Sequence, residues 1–294
     1  MKLTNISISR DIRDAMDDIP SIAPIIGQIH TMFQETDISP KDLIHIIMLD
    51  PVLTGKVLDL VNSSFYGRPE RITSLGQALI ILGFNAVKNL AISSALLNTI
   101  SFKGRRSPIN PEEFWRHCLA TAVGSKYLAK CRDIPHTELE KYFFAGLFHD
   151  IGKILLIRTN PDMYRKAVYE SQRLGLSLEF AEYAHFGCAH TQAGGLLARK
   201  WKLDPYLIDV IEQHHSFSPD TPNPIDNLIA LSNNICKKAA IGQSGNGIIE
   251  EIADDIQRYY HVEQDDLTVF SDRLPSVIEK AVHLLNVAPD RSEL

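Results

Sequence analysis

Helical periodicity runs through almost the whole chain, and three cap-plus-proline pairs punctuate it. Ser39-Pro40, Asp50-Pro51 and Asp204-Pro205 each set a side-chain oxygen before a proline at the first helical position. After Ser39, apolar residues recur at helical spacing through Leu43, Ile44, Ile47 and Leu49; after Asp50 they recur through Val52, Leu53, Val57, Leu60 and Val61. Ser74-Leu75-Gly76-Gln77 has capping-box spacing before Leu79 and Leu82, and Asn85 can cap a further helix through Leu97. No convincing period-two run and no Asn-Gly hairpin signal between alternating runs is found. The chain is therefore expected to be all-α.

Residues 102–111, rich in glycine, proline and basic side chains, break the pattern. They divide the chain into an N-terminal helical lobe (1–105) and a second helical lobe (106–294). In the second lobe helices are expected near 112–130, 138–150, 160–174, 177–186, 190–201, 205–215 and 225–239, with a final one over 275–288. Residues 240–247 (AIGQSGNG) read as a flexible loop. The linker is short, so the lobes are expected to fold as one unit.

The remaining bulk properties exclude several functions. Thirty basic residues against 36 acidic give a net charge of −6, which disfavours nucleic acid and anionic membranes as partners. Lys103, Arg105 and Arg106 form the one dense basic run. The four cysteines are scattered without a Cys-x-x-Cys pair, as in a reduced intracellular protein. No apolar stretch reaches the ~20 residues of a membrane span, and no signal peptide is visible at the N-terminus. A cytoplasmic location is expected.

Chemistry concentrates in the histidines. His117, the pair His149-Asp150, His190 and the pair His214-His215 fall in mostly apolar helices, where a polar side chain without a partner is costly. Neutral imidazoles plus one carboxylate suit Fe, Zn, Mn or Ni better than Mg or Ca. Gly124 and Gly194 lie on the faces of His117 and His190, where a second helix could approach closely. A lone histidine in such a helix is more often a hydrogen-bonded core residue, and His30, His45, His136, His261 and His283 are read so. The spacings by themselves make no local metal motif.

Residues 146–153 (GLFHDIGK) resemble the HD superfamily signature of metal-dependent phosphohydrolases. The wider pattern resembles its HDOD branch, the HD-related output domain of bacterial signalling proteins. It includes Leu49-Asp50-Pro51, Val61-Asn62-Ser63, Leu82-Gly83, Trp115 to His117, Glu182 to His190, Gly194, Trp201 and His214-His215. The resemblance implies a two-lobed helical fold with one or two transition metals. It implies His117, His149, Asp150, His190, His214 and His215 as metal ligands, and Lys153 as a contact to substrate phosphate. Two departures stand against hydrolysis. Asn233 falls where HD enzymes carry a closing aspartate, and no Gly-Tyr-Pro motif follows His215. The expected function is bacterial signal transduction, through a protein partner or a small nucleotide-like ligand. The alternative is a metal-dependent phosphohydrolase acting on a nucleotide or cyclic dinucleotide.

Overall fold

A computed structural model describes residues 9–19, 39–48, 51–62, 71–84, 87, 91, 107–136, 138–215 and 224–248. Among the described residues there are helices and no strand. In chain order they are α1 (Arg10–Asp18), α2 (Pro40–Met48), α3 (Pro51–Val61), α4 (Leu75–Leu82), α5 (Pro111–Lys130), α6 (Leu139–Phe148), α7 (Gly152–Thr159), α8 (Pro161–Leu174), α9 (Leu178–Phe186), α10 (His190–Lys200), α11 (Pro205–Gln213) and α12 (Pro224–Lys238).

The starts follow the capping chemistry. Ser74 accepts a hydrogen bond from the Gln77 amide while Gln77 Oε1 takes the Thr73 amide, a reciprocal arrangement close to the expected capping box. Asn110 accepts from the amides of Glu112 and Glu113, so the end of the expected linker is the cap of α5. The expected helices after Asn85 and over 275–288 fall largely or wholly outside the described residues, as do Lys103, Arg105 and Arg106.

Helices α2, α3 and α4 pack on one another through Leu43, Ile47, Val57, Val61, Leu75 and Ala78, all buried. Asn62 ties the end of α3 to the following segment: it donates to the Leu58 and Ile72 carbonyls and accepts from the Ile72 amide. Helix α1 packs instead on α7, through the buried Ile12 and Ile19. Lys200 Nζ at the end of α10 donates to the Met16 carbonyl, 2.5 Å away, near the C-terminal end of α1.

Around the site, α5 packs on α6, α12 lies against both, and α10 packs between α7 and α11. Two of these contacts require glycine. A Cβ at Gly146 would stand 2.6 Å from Ala122 Cα, and one at Gly152 would stand 1.9 Å from the His190 carbonyl oxygen. Gly194 is the other side of the second contact, 2.4 Å from that same notional carbon. This close approach brings the start of α10 onto the start of α7. Residues 152–159 were not expected to be a separate helix; the chain turns at His149–Ile151, and α7 begins there.

Candidate metal centre

The turn between α6 and α7 is the pivot of the site, because it exposes Asp150 to side chains from three other helices. His117 comes from the middle of α5. His149 and Asp150 follow the last residue of α6, and Lys153 sits in the first turn of α7. His190 is the first residue of α10, and His214-His215 follow the last residue of α11. All six expected ligands and Lys153 thus meet in one place. His117, His149, Asp150, Lys153, His190 and His214 are buried to 1% exposure or less.

Asp150 divides the cluster into two halves. Its Oδ2 lies 3.4 Å from His149 Nε2 and 3.8 Å from His117 Nε2. Its Oδ1 lies 3.4 Å from His190 Nε2 and 3.6 Å from His214 Nε2, and His190 Nε2 is 3.1 Å from His215 Nε2. Two groups result, His117–His149–Asp150 and Asp150–His190–His214–His215, and within each the donor atoms lie within 4.8 Å of one another.

Tautomers give these distances their meaning. His149 Nδ1 faces the Gly146 carbonyl at 2.7 Å and His214 Nδ1 faces the Ile211 carbonyl at 2.9 Å. A carbonyl can only accept, so each Nδ1 carries the proton and each neutral ring turns a bare Nε2 lone pair toward Asp150. The Nε2 atoms of His117, His149 and His214 and Oδ1 of Asp150 are buried without a hydrogen-bond partner. Lone pairs converging on a carboxylate repel one another unless a cation lies between them. The donor set therefore fits a transition metal of the kind imidazole and carboxylate hold.

The electrostatics keep the ligands in their coordinating forms. Burial holds the His117 imidazole well below its usual range. Burial also pushes His214 down to about 3, despite Asp150, and with His214 and His190 it lowers His215 strongly. Burial alone would raise the Asp150 carboxyl; the Lys153 ammonium beside it opposes this, and the group stays well below the ordinary carboxylate range.

Two participants were not assigned a role from sequence. Glu182 on α9 is fully buried; its Oε2 takes the His190 amide at 2.8 Å and faces His190 Nδ1 at 2.5 Å, while Tyr164 donates to Oε1 at 2.9 Å. A carboxylate behind a ligand imidazole fixes its tautomer and raises its basicity. The signal was a carboxylate eight residues before His190 inside the stretch carrying the resemblance, but only the fold shows that the two meet. The second participant is Ser244, whose Oγ receives a hydrogen bond from Lys153 Nζ at 3.1 Å. It belongs to the segment read as a flexible loop, which in fact packs closely. Gly242 at φ +69° leaves no room for a Cβ against the His117 amide, 2.3 Å away, and the Gln243 amide donates to the Glu113 carbonyl. Ser244 and Asn246 are buried.

Asn233 is 2% exposed on α12, with its Oδ1 lacking a hydrogen-bond partner. Its neighbour Ser232 donates to the Thr121 carbonyl, one turn along α5 from His117. His45 and His136 lie outside the cluster, and His185 pairs with Glu170 at 3.0 Å.

Among the described residues the fold is all-helical, and its candidate His and Asp ligands gather around the turn at Asp150. The HDOD domain model matches residues 19–217, more than half of the chain, and the chain belongs to that family. Solved structures share the fold at low identity. An HDOD domain protein of unknown function from Geobacter sulfurreducens superposes with a TM-score of 0.72 at 22% identity, covering 94% of this chain and 96% of that one. A Marinobacter aquaeolei VT8 protein, provisionally named for signal transduction, gives 0.74 at 20% identity over 97% of this chain and 63% of its own. A Shewanella amazonensis SB2B protein, provisionally named a phosphohydrolase, gives 0.70 at 19% over 96% and 99%. An uncharacterized protein of Treponema pallidum (strain Nichols) is 22% identical over 228 residues, 77% of this chain; the match spans 44% of that protein's length. No helix among the described residues is long and apolar enough to cross a membrane.

Proposed function

We propose that this chain is a regulatory signal-transduction protein whose His-Asp cluster holds a transition metal and which acts by binding, not by efficient turnover. One observation carries the reading: five of the six residues that would hold the metal are buried, and His215 is the one that is partly exposed. Asp150 and His214 are each 1% exposed, His149 and His190 are fully buried, and Lys153, the group expected to meet a phosphate, is itself 1% exposed. Ligands covered in this way, with only His215 partly open, offer a phosphodiester little direct contact. Asn233 supports the same reading, since an amide at the place of a closing carboxylate adds no negative charge to help deprotonate a water.

When bound, metal would supply a Lewis acid, held by Asp150 with the imidazoles of one or both groups, His117 and His149 or His190, His214 and His215. The chain's own residues do the rest. Glu182 holds His190, the Gly146 and Ile211 carbonyls hold His149 and His214, and Lys153 neutralises Asp150. The partner is a signalling protein or a small nucleotide-like ligand.

The phosphohydrolase reading is favoured by one feature, the carboxylate shared between two groups of imidazoles with an ammonium beside it. The test is metal content followed by turnover. The purified chain should carry a transition metal and show no Asp150-dependent hydrolysis of cyclic dinucleotides or nucleoside phosphates. Robust hydrolysis that vanishes in Asp150→Asn would replace the regulatory reading with the enzymatic one.

A further inference from the structure

The two halves of the cluster are unequal in charge. On the Oδ2 side of Asp150, Lys153 Nζ stands 2.7 Å from the carboxylate oxygen and is 1% exposed. Its place is fixed a second time by Ser244 Oγ at 3.1 Å. Ser244 lies beyond residues 19–217 that carry the family match. On the Oδ1 side the carboxylate oxygen makes no hydrogen bond, and the Lys237 ammonium acts on His117 and His215 alike, so it does not separate the two halves as Lys153 does. Three imidazoles face that side, one of them braced by Glu182.

The formal charge of these buried groups is uneven in the same sense. Among the groups hydrogen-bonded at the cluster, Asp150 and Glu182 bring two negative charges and Lys153 one positive charge, and Glu182 stands on the His190 side. A dication entering the His117–His149 half must share Asp150 Oδ2 with a buried ammonium at hydrogen-bond distance, and like charges that close in a buried site repel strongly. A dication entering the other half meets an open carboxylate oxygen, three imidazoles and the negative charge of Glu182 behind His190.

We propose that Lys153, held by Ser244, is the resident cation of the His117–His149 half, so that the chain takes a single metal ion, on His190, His214, His215 and Asp150. The proposal rests on the metal reading above and adds the stoichiometry and the place. Lys153 is thereby a residue that sets metal number, acting through Asp150.

The experiment is equilibrium dialysis of the full chain against Zn²⁺ alone, with metal counted per chain by elemental analysis. Wild type should hold one ion, His214→Ala should lose it, and His117→Ala should keep it. Lys153→Met, close in shape but without the charge, should admit a second ion, and His117→Ala added to it should return the count to one. Circular dichroism melting of each variant identifies any that fails to fold; should Lys153→Met fail, the contrast between His117→Ala and His214→Ala decides alone. Two ions in wild type, or loss of the single ion in His117→Ala with retention in His214→Ala, would overturn the proposal while leaving metal binding intact. No ion in folded wild type would overturn the metal reading and the proposal with it.

Discussion

Helices α2–α4 and the helices around Asp150 bury side chains for different ends. In the first region the buried residues are Leu43, Ile47, Val57, Val61, Leu75 and Ala78, and the polar Asn62 is satisfied by backbone partners on both sides. In the second, the core admits an aspartate, a glutamate, a lysine and several imidazoles, with donor atoms that no protein group satisfies. Polar groups left this way lower stability, by about 1–3 kcal/mol each when no partner arrives. A fold keeps them only where they serve something other than packing. The first region is built for stability, and the second gives up stability to present ligands.

The sharpest way to break this contrast is to exchange the effects. Asp150→Asn should abolish metal retention, because the one carboxylate common to both groups of imidazoles loses its charge; elemental analysis after gel filtration measures it. Ile47→Ala, at a fully buried site in α2, should lower unfolding free energy by about 2–5 kcal/mol and leave metal content unchanged. Denaturant titration with metal analysis of the same sample checks both. Metal lost from folded Ile47→Ala would show that the regions are not functionally separate.

A smaller effect is expected behind the ligands. Glu182→Gln keeps the shape and removes the charge behind His190, so metal affinity should weaken about 10–100-fold. Competition with a chelator reads the change, and an unaltered affinity would reduce Glu182 to a packing residue.

Acidification gives the weakest and most graded distinction. His117, His214 and His215 are held neutral in the fold, His214 down to about 3, whereas the unfolded chain protonates them near 6.5. Below that value the unfolded state binds protons that the folded state refuses. The stability these groups contribute is complete above 6.5 and is lost as pH falls toward the folded values. Each histidine contributes a slope of up to about 1.4 kcal/mol per pH unit. Asp150, also depressed, adds a loss only below its ordinary value of 3.8. Chelator-treated protein unfolded by denaturant at several values between pH 7.5 and 5 should show this decline, and a flat profile would contradict the buried neutral imidazoles.

Much of this was legible in the sequence where the physics is local. Proline at the first helical position marked the starts of α2, α3 and α11; Ser39 caps α2 through the Asp42 amide, whereas Asp204 makes no side-chain cap hydrogen bond. Each of the six candidate ligands was visible as a polar residue within or at the end of an apolar helical run. What could not be read depends on approach in space. Helix α7 is short, and its start is set by a turn at His149–Ile151 and by the glycine contact with α10. The loop after α12 has the composition of a flexible linker, yet its glycines supply the positive φ and close approach that seat Ser244 on Lys153. Glu182 opens a stretch that carries the resemblance, but its place behind His190 is set only by the packing of α9.

The central claim, that imidazoles and one carboxylate hold a transition metal, is tested most directly by X-ray absorption at the metal edge of Zn²⁺-loaded protein. The account predicts a shell of nitrogen and oxygen at about 2.0–2.2 Å, with the outer scattering of several imidazole rings, and its loss in Asp150→Asn. A sulfur shell at about 2.3 Å, or a spectrum unchanged in that variant, would contradict it.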